Sequence, residues 1–252
     1  MIMKTYGLVG YPLGHSFSQD YFTKKFAAEN IDAQYLNFQI EDIALFPEKV
    51  LTAPGLAGLN VTIPYKQKVM QFLDEIDETA QRVGAVNVVK IIRNGDKIRL
   101  RGCNSDVVGF ENSLRPLLKP CHTKAFILGT GGASKAVRYV LEKLKIDYQF
   151  VSRNADAANN ILSYVQLTNE LIETHKLIVN CTPLGMSPKT DACPDIPYSA
   201  IGPDHLCFDL IYNPETTLFL QKAKQQGATI KNGLDMLIGQ AVRAWEIWNE
   251  ES

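Results

Sequence analysis

The chain has 252 residues, of which 46% are hydrophobic and 21% charged, with 26 basic and 27 acidic side chains. This length suits one large domain or two modest domains with a substantial core. The two signs of charge are balanced and neither forms a long run. We therefore expect no nucleic-acid and no membrane partner, and a small neutral or anionic molecule as the ligand.

The start of the chain and its cysteines bear on location. The apolar part of residues 1–10 is short and soon interrupted by Lys4, Pro12 and His15, and no apolar stretch approaches the length of a membrane span. The five cysteines show no C-x-x-C spacing, and the four histidines never pair at a ligand spacing. We expect no signal peptide, reduced thiols, no structural metal and a cytoplasmic protein.

Short β-branched and aromatic runs alternate with amphipathic segments in the first part of the chain. The sequence predicts strands at YGLVG and AQYLNF and helices over 16–29 and 41–52, an order typical of βα units on a sheet. The runs VNVVKIIR and KIRLRG flank Asn94-Gly95-Asp96 and predict a hairpin, because Asn-Gly tolerates the positive φ angles of a tight turn. An antiparallel pair at the end of a mixed sheet is expected.

A second pattern begins at Lys124. The runs KAFILG, GTGGAS, KAVRYVLEKLK and YQFVSR predict a buried strand, a glycine loop, a helix and a second strand, which together form one βαβ unit of a doubly wound fold. Further strands are predicted at KLIVNC and HLCFDL, and a long helix from about Leu234 to Asn249.

These elements predict an α/β protein with two domains. Residues 1–104 and 238–252 are expected to form a substrate-binding domain with a mixed, mainly parallel sheet. Residues 105–237 are expected to form a Rossmann-like, doubly wound dinucleotide-binding domain. A cleft between the two is the expected ligand site, since small molecules usually bind at domain junctions and at the carboxyl ends of strands.

The glycine loop is the first candidate binding site. It leaves a hydrophobic strand and opens a helix, so its backbone N–H groups and the positive helix end would stabilise a pyrophosphate. Ser134 stands at the last position of the G-x-G-x-x-G pattern, and a tight turn that needs glycine only for its dihedrals is the alternative. The candidate cofactor residues of this loop are Gly129, Thr130, Gly131, Gly132 and Ala133.

The end of the second strand indicates which dinucleotide binds. An NAD site usually has an acidic residue there, which accepts hydrogen bonds from the ribose hydroxyls. This strand ends in Ser152-Arg153-Asn154 instead. A guanidinium can hold a phosphate through paired hydrogen bonds, whereas a carboxylate would repel it, so the pattern favours NADP. A solvated surface arginine is the alternative interpretation.

Eight spaced motifs resemble the shikimate dehydrogenase family and cover the chain from Gly10 to Trp248. They are Gly10 to Ser18 (GYPLGHSFS), Asn60 to Lys66 (NVTIPYK), Gly84 to Asn87 (GAVN), Gly102 to Asp106 (GCNSD) with Gly109, the glycine loop, Asn180 to Met186 (NCTPLGM), Asp209 to Tyr212 (DLIY), and Gly233 through Met236-Leu237 to Gln240-Ala241. The resemblance implies an NADP-dependent enzyme of aromatic amino acid (chorismate) biosynthesis that reversibly reduces 3-dehydroshikimate to shikimate.

The resemblance also implies roles for individual residues. Lys66 is implied as the catalytic residue and Asp106 as its partner. Thr182, Leu210 and Gly233 are implied to line the cofactor site. The implied substrate-binding residues are Ser16, Ser18, Thr62, Asn87, Tyr212 and Gln240.

The residue types suit this chemistry. Hydride transfer to a ketone needs a proton for the developing alkoxide, and the reverse reaction needs the same proton removed. An ammonium beside a carboxylate can do this. Lys66 would carry the proton, while Asp106 would orient the lysine side chain and bind a neighbouring hydroxyl of the substrate. Taken alone, either residue is more often a surface charge. Their joint occurrence in two family motifs favours catalysis.

The substrate carboxylate only accepts hydrogen bonds, so its pocket must offer donors. The hydroxyls of Ser16, Ser18 and Tyr212 are candidates, although both serines could also cap the helix that follows. Thr62, Asn87 and Gln240 can donate or accept, which suits ring hydroxyls. For Gln240, an ordinary polar position on the last helix is the alternative.

The sequence departs from the family pattern at a few positions. Gln19 replaces a proline and Phe22-Thr23 replaces a histidine-asparagine pair, which bears on the rigidity of the first loop. Ala157 replaces the basic residue often found after the arginine, with Asp156 beside it, so a quinate/shikimate dehydrogenase that tolerates NAD is one alternative. A dinucleotide-binding regulatory module without turnover is another. The oligomeric state is left open between monomer and homodimer.

Overall fold

The computed structural model describes residues 3–14, 16–95 and 97–250. It divides the chain into two compact units, Met1–Ser105 with Ala241–Ser252, and Asp106–Gln240. We call them the first and the second unit and describe each by itself. In the part of the chain that is described, no helix is long and apolar enough to cross a membrane.

The first unit contains a sheet of six strands. They are β1 (Lys4–Gly10), β2 (Ala33–Gln39), β3 (Leu56–Val61), β4 (Glu75–Ile76), β5 (Val88–Asn94) and β6 (Lys97–Cys103). The order is β2-β1-β3-β5-β6-β4. Strand β1 runs parallel to β2 and β3, β5 runs antiparallel to β3 and β6, and β4 runs parallel to β6. The helices are α1 (Phe17–Ala28), α2 (Phe46–Lys49) and α3 (Glu78–Val83), with 3-10 turns at Ile43–Leu45 and Lys68–Phe72.

The predicted hairpin is confirmed, but the predicted helix over 41–52 is wrong. The hairpin pairs Asn94 with Lys97, and only the two-residue β4 lies beyond it; Asp96 of its turn falls outside the described residues. The segment 41–52 forms a 3-10 turn and the four-residue α2 instead. Buried Ile43, Phe46 and Val50 mimic helical spacing. Pro47 in the first turn lacks an N–H group, and the chain leaves the helix after Lys49.

The core of the first unit lies on both faces of this sheet. One face packs residues such as Val9, Leu59 and Phe46, which are fully buried. The other face carries an aromatic cluster that includes Phe22 of α1 and Trp248 near the C-terminus. Aromatic pairs of this kind add stability beyond the area they bury. The first four residues of β5, Val88 to Ile91, lie between these two faces and are buried.

The second unit contains a parallel six-stranded sheet. Its strands are β7 (Lys124–Leu128), β8 (Asp147–Ser152), β9 (Ile161–Ser163), β10 (Leu177–Asn180), β11 (Leu206–Asp209) and β12 (Thr229–Lys231). The helices are α4 (Asp106–Leu114), α5 (Gly132–Lys143), α6 (Asn169–Thr174), α7 (Leu218–Gln225) and α8 (Leu234–Asn249), with 3-10 turns at Arg115–Leu117, Ala157–Asn159, Tyr164–Gln166 and Tyr198–Ala200. Helix α8 continues through Gln240 into the first unit.

The strand order of this sheet is β12-β11-β10-β7-β8-β9, with every neighbouring pair parallel. Counted within the unit, this is the 3-2-1-4-5-6 order of the doubly wound fold, read from the other edge. The order reverses between β7 and β10, and ligands of such sheets bind where the carboxyl ends of these two strands diverge. The predicted α/β fold class, with a mixed sheet and a Rossmann-like sheet, is confirmed.

Candidate active site

The candidate substrate residues of the first unit lie at one edge of its sheet. Thr62 and Lys66 follow β3, and Asn87 precedes β5, which runs antiparallel to β3. Ser16 follows β1, which runs parallel to β3. Because the carboxyl ends of parallel strands and the start of an antiparallel one meet at the same edge, these residues are brought to it. The Thr62 N–H donates to Val9 O at 2.9 Å, which ties the ends of β1 and β3 together.

The two serines of the first loop are both buried, and each has a partner within the unit. Ser16 caps α1, and its Oγ accepts a hydrogen bond from Gln19 N at 3.3 Å. Helix capping and substrate binding are compatible, because the hydroxyl proton still points elsewhere. The Ser18 side chain hydrogen-bonds the Tyr35 hydroxyl, whose pKa burial raises. His15, which precedes Ser16 in this motif, lies outside the described residues.

Asn87 is held rigidly at the same edge. It is 2% exposed, its Oδ1 accepts from Ser105 N at 2.7 Å, and its Nδ2 donates to Ser105 Oγ at 3.0 Å. These bonds fix which way the amide faces. The Lys66 loop is joined to the same segment, because Val86 N donates to Lys66 O at 2.7 Å. The motifs that carry Lys66 and Asn87 are therefore neighbours in the fold.

The remaining catalytic and substrate candidates belong to the second unit. Asp106 is the first residue of α4 and is 5% exposed, a position where the helix dipole favours a negative charge. A Cβ on Gly109 would stand 2.4 Å from Met236 O, so α4 and α8 touch backbone to backbone. Gln240 is 7% exposed and its Nε2 donates to Leu237 O at 3.0 Å, whereas Tyr212 is 37% exposed.

The glycine loop has the geometry that a dinucleotide phosphate requires. Gly129 has φ +98°, and a Cβ there would lie 3.0 Å from Thr182 Cγ2, so the loops after β7 and β10 are in contact. Gly131 is the N-cap of α5 and makes no side-chain capping bond, and a Cβ on it would meet nothing within 4 Å. The first N–H groups of a helix have no partner within the helix, so the start of α5 at the switch point is suited to an anion.

The departure at Ser134 does not disturb this loop. Ser134 is 1% exposed, and its Oγ donates to Gly131 O at 2.7 Å. The small side chain is accommodated where the general G-x-G-x-x-G/A pattern has glycine or alanine. Its hydroxyl braces the turn rather than blocking it.

The segment after β8 presents the candidate phosphate clamp. Arg153 and Asn154 are exposed directly after the strand ends at Ser152. The Asp156 carboxylate caps its own 3-10 turn: it accepts hydrogen bonds from Asn159 Nδ2 at 2.7 Å and Asn159 N at 3.2 Å, and these two bonds lower its pKa. The Asp156 carboxylate is thus hydrogen-bonded within its own turn. Ala157 occupies the position where related sequences often have a second basic residue.

Sequence reasoning missed a buried polar cluster under the loops after β10 and β11. Asp209 is fully buried and accepts hydrogen bonds from Asn180 Nδ2 at 3.0 Å, Ile211 N at 3.0 Å and Thr217 Oγ1 at 2.6 Å. A polar residue that ends a fully apolar strand, as in LIVN and LCFD, was the available signal. Within residues 3–14, 16–95 and 97–250, no group of three or more His, Cys, Asp or Glu is arranged to hold a metal ion.

Comparisons with known proteins agree with these features. A family model described as the shikimate dehydrogenase substrate binding domain matches residues 8–89. The shikimate dehydrogenase (NADP(+)) of Desulforamulus reducens is 37% identical over 96% of this chain and 88% of that protein. The crystal structure of shikimate dehydrogenase from Aquifex aeolicus matches with a TM-score of 0.84 at 33% identity, covering 98% of this chain and 92% of that one. Quinate dehydrogenase from Corynebacterium glutamicum, in complex with NAD, matches with a TM-score of 0.82 at 28% identity, covering 98% and 93%.

Proposed function

The chain belongs to the shikimate dehydrogenase family, and from this premise we infer its reaction, the reversible NADPH-dependent reduction of 3-dehydroshikimate to shikimate in aromatic amino acid biosynthesis. The resemblance drawn from the eight motifs is confirmed, and so is NADP as the cofactor. The observation that carries the inference is the 37% identity to an NADP-dependent shikimate dehydrogenase over nearly the whole chain.

The proton chemistry falls to Lys66 and Asp106. When bound, NADPH supplies the hydride that reduces the ring ketone. In that direction the Lys66 ammonium donates a proton to the carbonyl oxygen, and in the reverse direction the neutral amine takes the proton from the hydroxyl. The Asp106 carboxylate orients the ammonium and accepts a hydrogen bond from a neighbouring ring hydroxyl. Such a proton transfer contributes roughly 10²–10⁴-fold to a rate.

The substrate would be bound by neutral donors and acceptors. The hydroxyls of Ser16, Ser18 and Tyr212 would donate to its carboxylate, and Thr62, Asn87 and Gln240 would bind ring hydroxyls. Ser18 would exchange its bond to Tyr35 for one to the carboxylate by rotating its hydroxyl. The fixed orientation of Asn87 supports this role, because a preset amide distinguishes one hydroxyl arrangement from another.

The cofactor would be held by the second unit. The pyrophosphate would lie on the α5 N-terminus against the glycine loop, and Arg153 would bind the 2′-phosphate beside Ser152 and Asn154. Thr182, Leu210 and Gly233 would line the nicotinamide end. These roles agree with the two domains that the sequence predicts, residues 1–104 and 238–252 for substrate binding and residues 105–237 for NADP binding. A monomer or a homodimer would serve equally.

Spectrophotometry with purified protein tests this function. Shikimate and NADP together should produce the absorbance of NADPH, and Lys66→Ala should lower kcat by at least about 100-fold. Lys68→Ala removes an exposed lysine two positions away and serves as the control, with kcat unchanged. A Lys66→Ala enzyme that turns over at the wild-type rate would leave the reaction without its proton carrier.

A second candidate activity concerns specificity within the same fold. Ala157 takes the place of a basic clamp residue, and a quinate dehydrogenase with NAD is among the structural matches. Comparing kcat/KM for shikimate and quinate with NADP and with NAD decides between them. Dominance of quinate and NAD would replace the specificity proposed above. The relatives are enzymes, so a regulatory module without turnover finds no support.

A further inference from the structure

The buried cluster at the ends of β10 and β11 serves no step of the mechanism above, yet it lies beneath the loops proposed to hold the nicotinamide end of the cofactor. Asn180 and Asp209 stand opposite each other in the parallel ladder, as the last residues of their strands. Leu210 N donates to Asn180 O at 3.0 Å, which extends the ladder by one bond beyond them.

Asn180 links Asp209 to the loop after β10. Its Nδ2 donates to Asp209, while its Oδ1 accepts from both Thr182 N at 3.0 Å and Thr182 Oγ1 at 2.7 Å. Thr182 Oγ1 in turn accepts from Leu184 N at 3.3 Å. The orientation of the Thr182 side chain therefore depends on the Asn180 amide, and the amide is oriented by the Asp209 carboxylate.

Asp209 also shapes the loop after β11. Its Oδ1 accepts from Ile211 N at 3.0 Å, which turns the backbone immediately after Leu210. Gly233 rests on the same turn, since a Cβ there would lie 2.1 Å from Leu210 O and its N–H donates to Ile211 O at 3.0 Å. Both loops proposed to contact the nicotinamide end thus take their shape from one carboxylate.

Thr217 closes the cluster from the other side. It is fully buried, donates to Asp209 Oδ2 at 2.6 Å and caps α7 by accepting from Leu220 N at 3.4 Å. Gly185 of the β10 loop packs against it, with a Cβ position 3.5 Å from Thr217 Cβ. The two oxygens of Asp209 therefore join a strand, a turn and a helix N-terminus through neutral donors.

The charged form of the carboxylate is costly to hold at this position. Burial raises the pKa of Asp209 to about 6, even though three donors favour its charged form. A raised native pKa means that holding the charge at neutral pH costs folding free energy. A residue with that cost fits a role in function rather than in packing.

We propose that Asp209 is a positioning residue, which acts through Asn180 and Ile211 to set the loops that bind the nicotinamide end of NADP. The proposal rests on the proposed function of these loops. On this proposal, the hydrogen bonds that Asp209 accepts from Asn180 and Ile211 determine the affinity for NADP, although Asp209 itself contacts no ligand.

Titration of the purified protein with NADPH, followed by the fluorescence of the reduced nicotinamide, tests this without turnover. Asp209→Ala should raise the Kd for NADPH at least tenfold. Thr217→Val, which keeps the side-chain volume but removes one donor, should raise the Kd at least threefold, and Thr217→Ser should restore it to within twofold. Glu142→Gln is the control, because it removes an exposed carboxylate of α5 in the same unit and should leave the Kd unchanged.

Unfolding of each variant is measured in parallel by chemical denaturation. If Asp209→Ala does not fold, the Thr217→Val and Thr217→Ser pair decides. A folded Thr217→Val protein that binds NADPH with the wild-type Kd overturns the proposal, as does a loss of stability in Asp209→Ala with an unchanged Kd. A wild-type protein that does not bind NADPH overturns the proposed function itself, so the two failures are distinguishable.

Discussion

Substitution of Gly131 by alanine separates cofactor binding from folding. The residue has φ −74° and ψ −177°, which alanine adopts without strain, and the added methyl group would meet no atom within 4 Å. Loss of unfolded-state entropy favours the variant by about 0.4–1 kcal/mol, while alanine is a poorer N-cap than glycine by a similar amount. We expect the free energy of unfolding to change by less than about 0.5 kcal/mol.

The effect on NADPH binding should be much larger. The added methyl group would stand at the N-terminus of α5, where we propose that the pyrophosphate binds. A pyrophosphate held away from this helix end loses at least one charge-assisted hydrogen bond, which is about 1.5–3 kcal/mol. This free energy corresponds to roughly a tenfold to more than a hundredfold increase in the Kd for NADPH.

The assay combines chemical denaturation with NADPH titration. Gly202→Ala is the matched control, because a Cβ there also meets nothing within 4 Å and the residue lies in the same unit but outside the glycine loop. We expect wild-type stability and wild-type Kd for the control. A Gly131→Ala protein that binds NADPH as the wild type does would refute the assignment of the glycine loop.

Two further predictions concern pH and cofactor choice. Burial lowers the pKa of His122 and of His205. The unfolded chain therefore binds protons at these imidazoles more readily than the folded protein, so the free energy of unfolding should fall as the pH drops below about 6.5. His122→Asn should flatten this dependence in denaturation curves recorded between pH 7.5 and 5. Asp209 has the opposite effect, because its raised pKa of about 6 means that acidification neutralises the buried carboxylate and so removes the cost of burying its charge. The pH dependence of the His122→Asn variant must therefore be compared with that of the wild type. Arg153→Ala should raise KM for NADP by about 10–100-fold while KM for NAD changes less than threefold, and equal changes in both would contradict a 2′-phosphate contact.

Much of the second unit could be predicted because its signals are local. The apolar run KAFILG, the glycines that follow and the helical pattern of KAVRYVLEKLK predict β7, the loop and α5, and the structure has them. Helix α8 also runs from Leu234 to Asn249, as predicted. By contrast β9 and β12 are three residues each, too short for any alternation of polar and apolar residues to be recognised.

The candidate site was predictable only in part, for a different reason. Lys66 and Asn87 stand in motifs that resemble the family, and the glycine loop lies between a predicted strand and a predicted helix, so these candidates could be named from the sequence. The partners that orient them depend on register between strands that are distant in sequence. Asn180 and Asp209 are 29 residues apart, and nothing in either run predicts that they face each other.

Both units use the same arrangement to orient their candidate ligand residues. In the first unit, hydrogen bonds run from Ser18 to Tyr35, from Tyr35 Oη to Asn60 Oδ1 at 2.8 Å, and between Asn87 and Ser105. In the second unit, hydrogen bonds connect Thr217, Asp209, Asn180 and Thr182 in turn. Ser18, Asn87 and Thr182 are thus each held by a buried polar neighbour, and a buried donor or acceptor left without its partner costs about 1–3 kcal/mol. A change in such a neighbour therefore reaches the ligand through geometry, which is why its effect should be sought in binding constants as well as in stability.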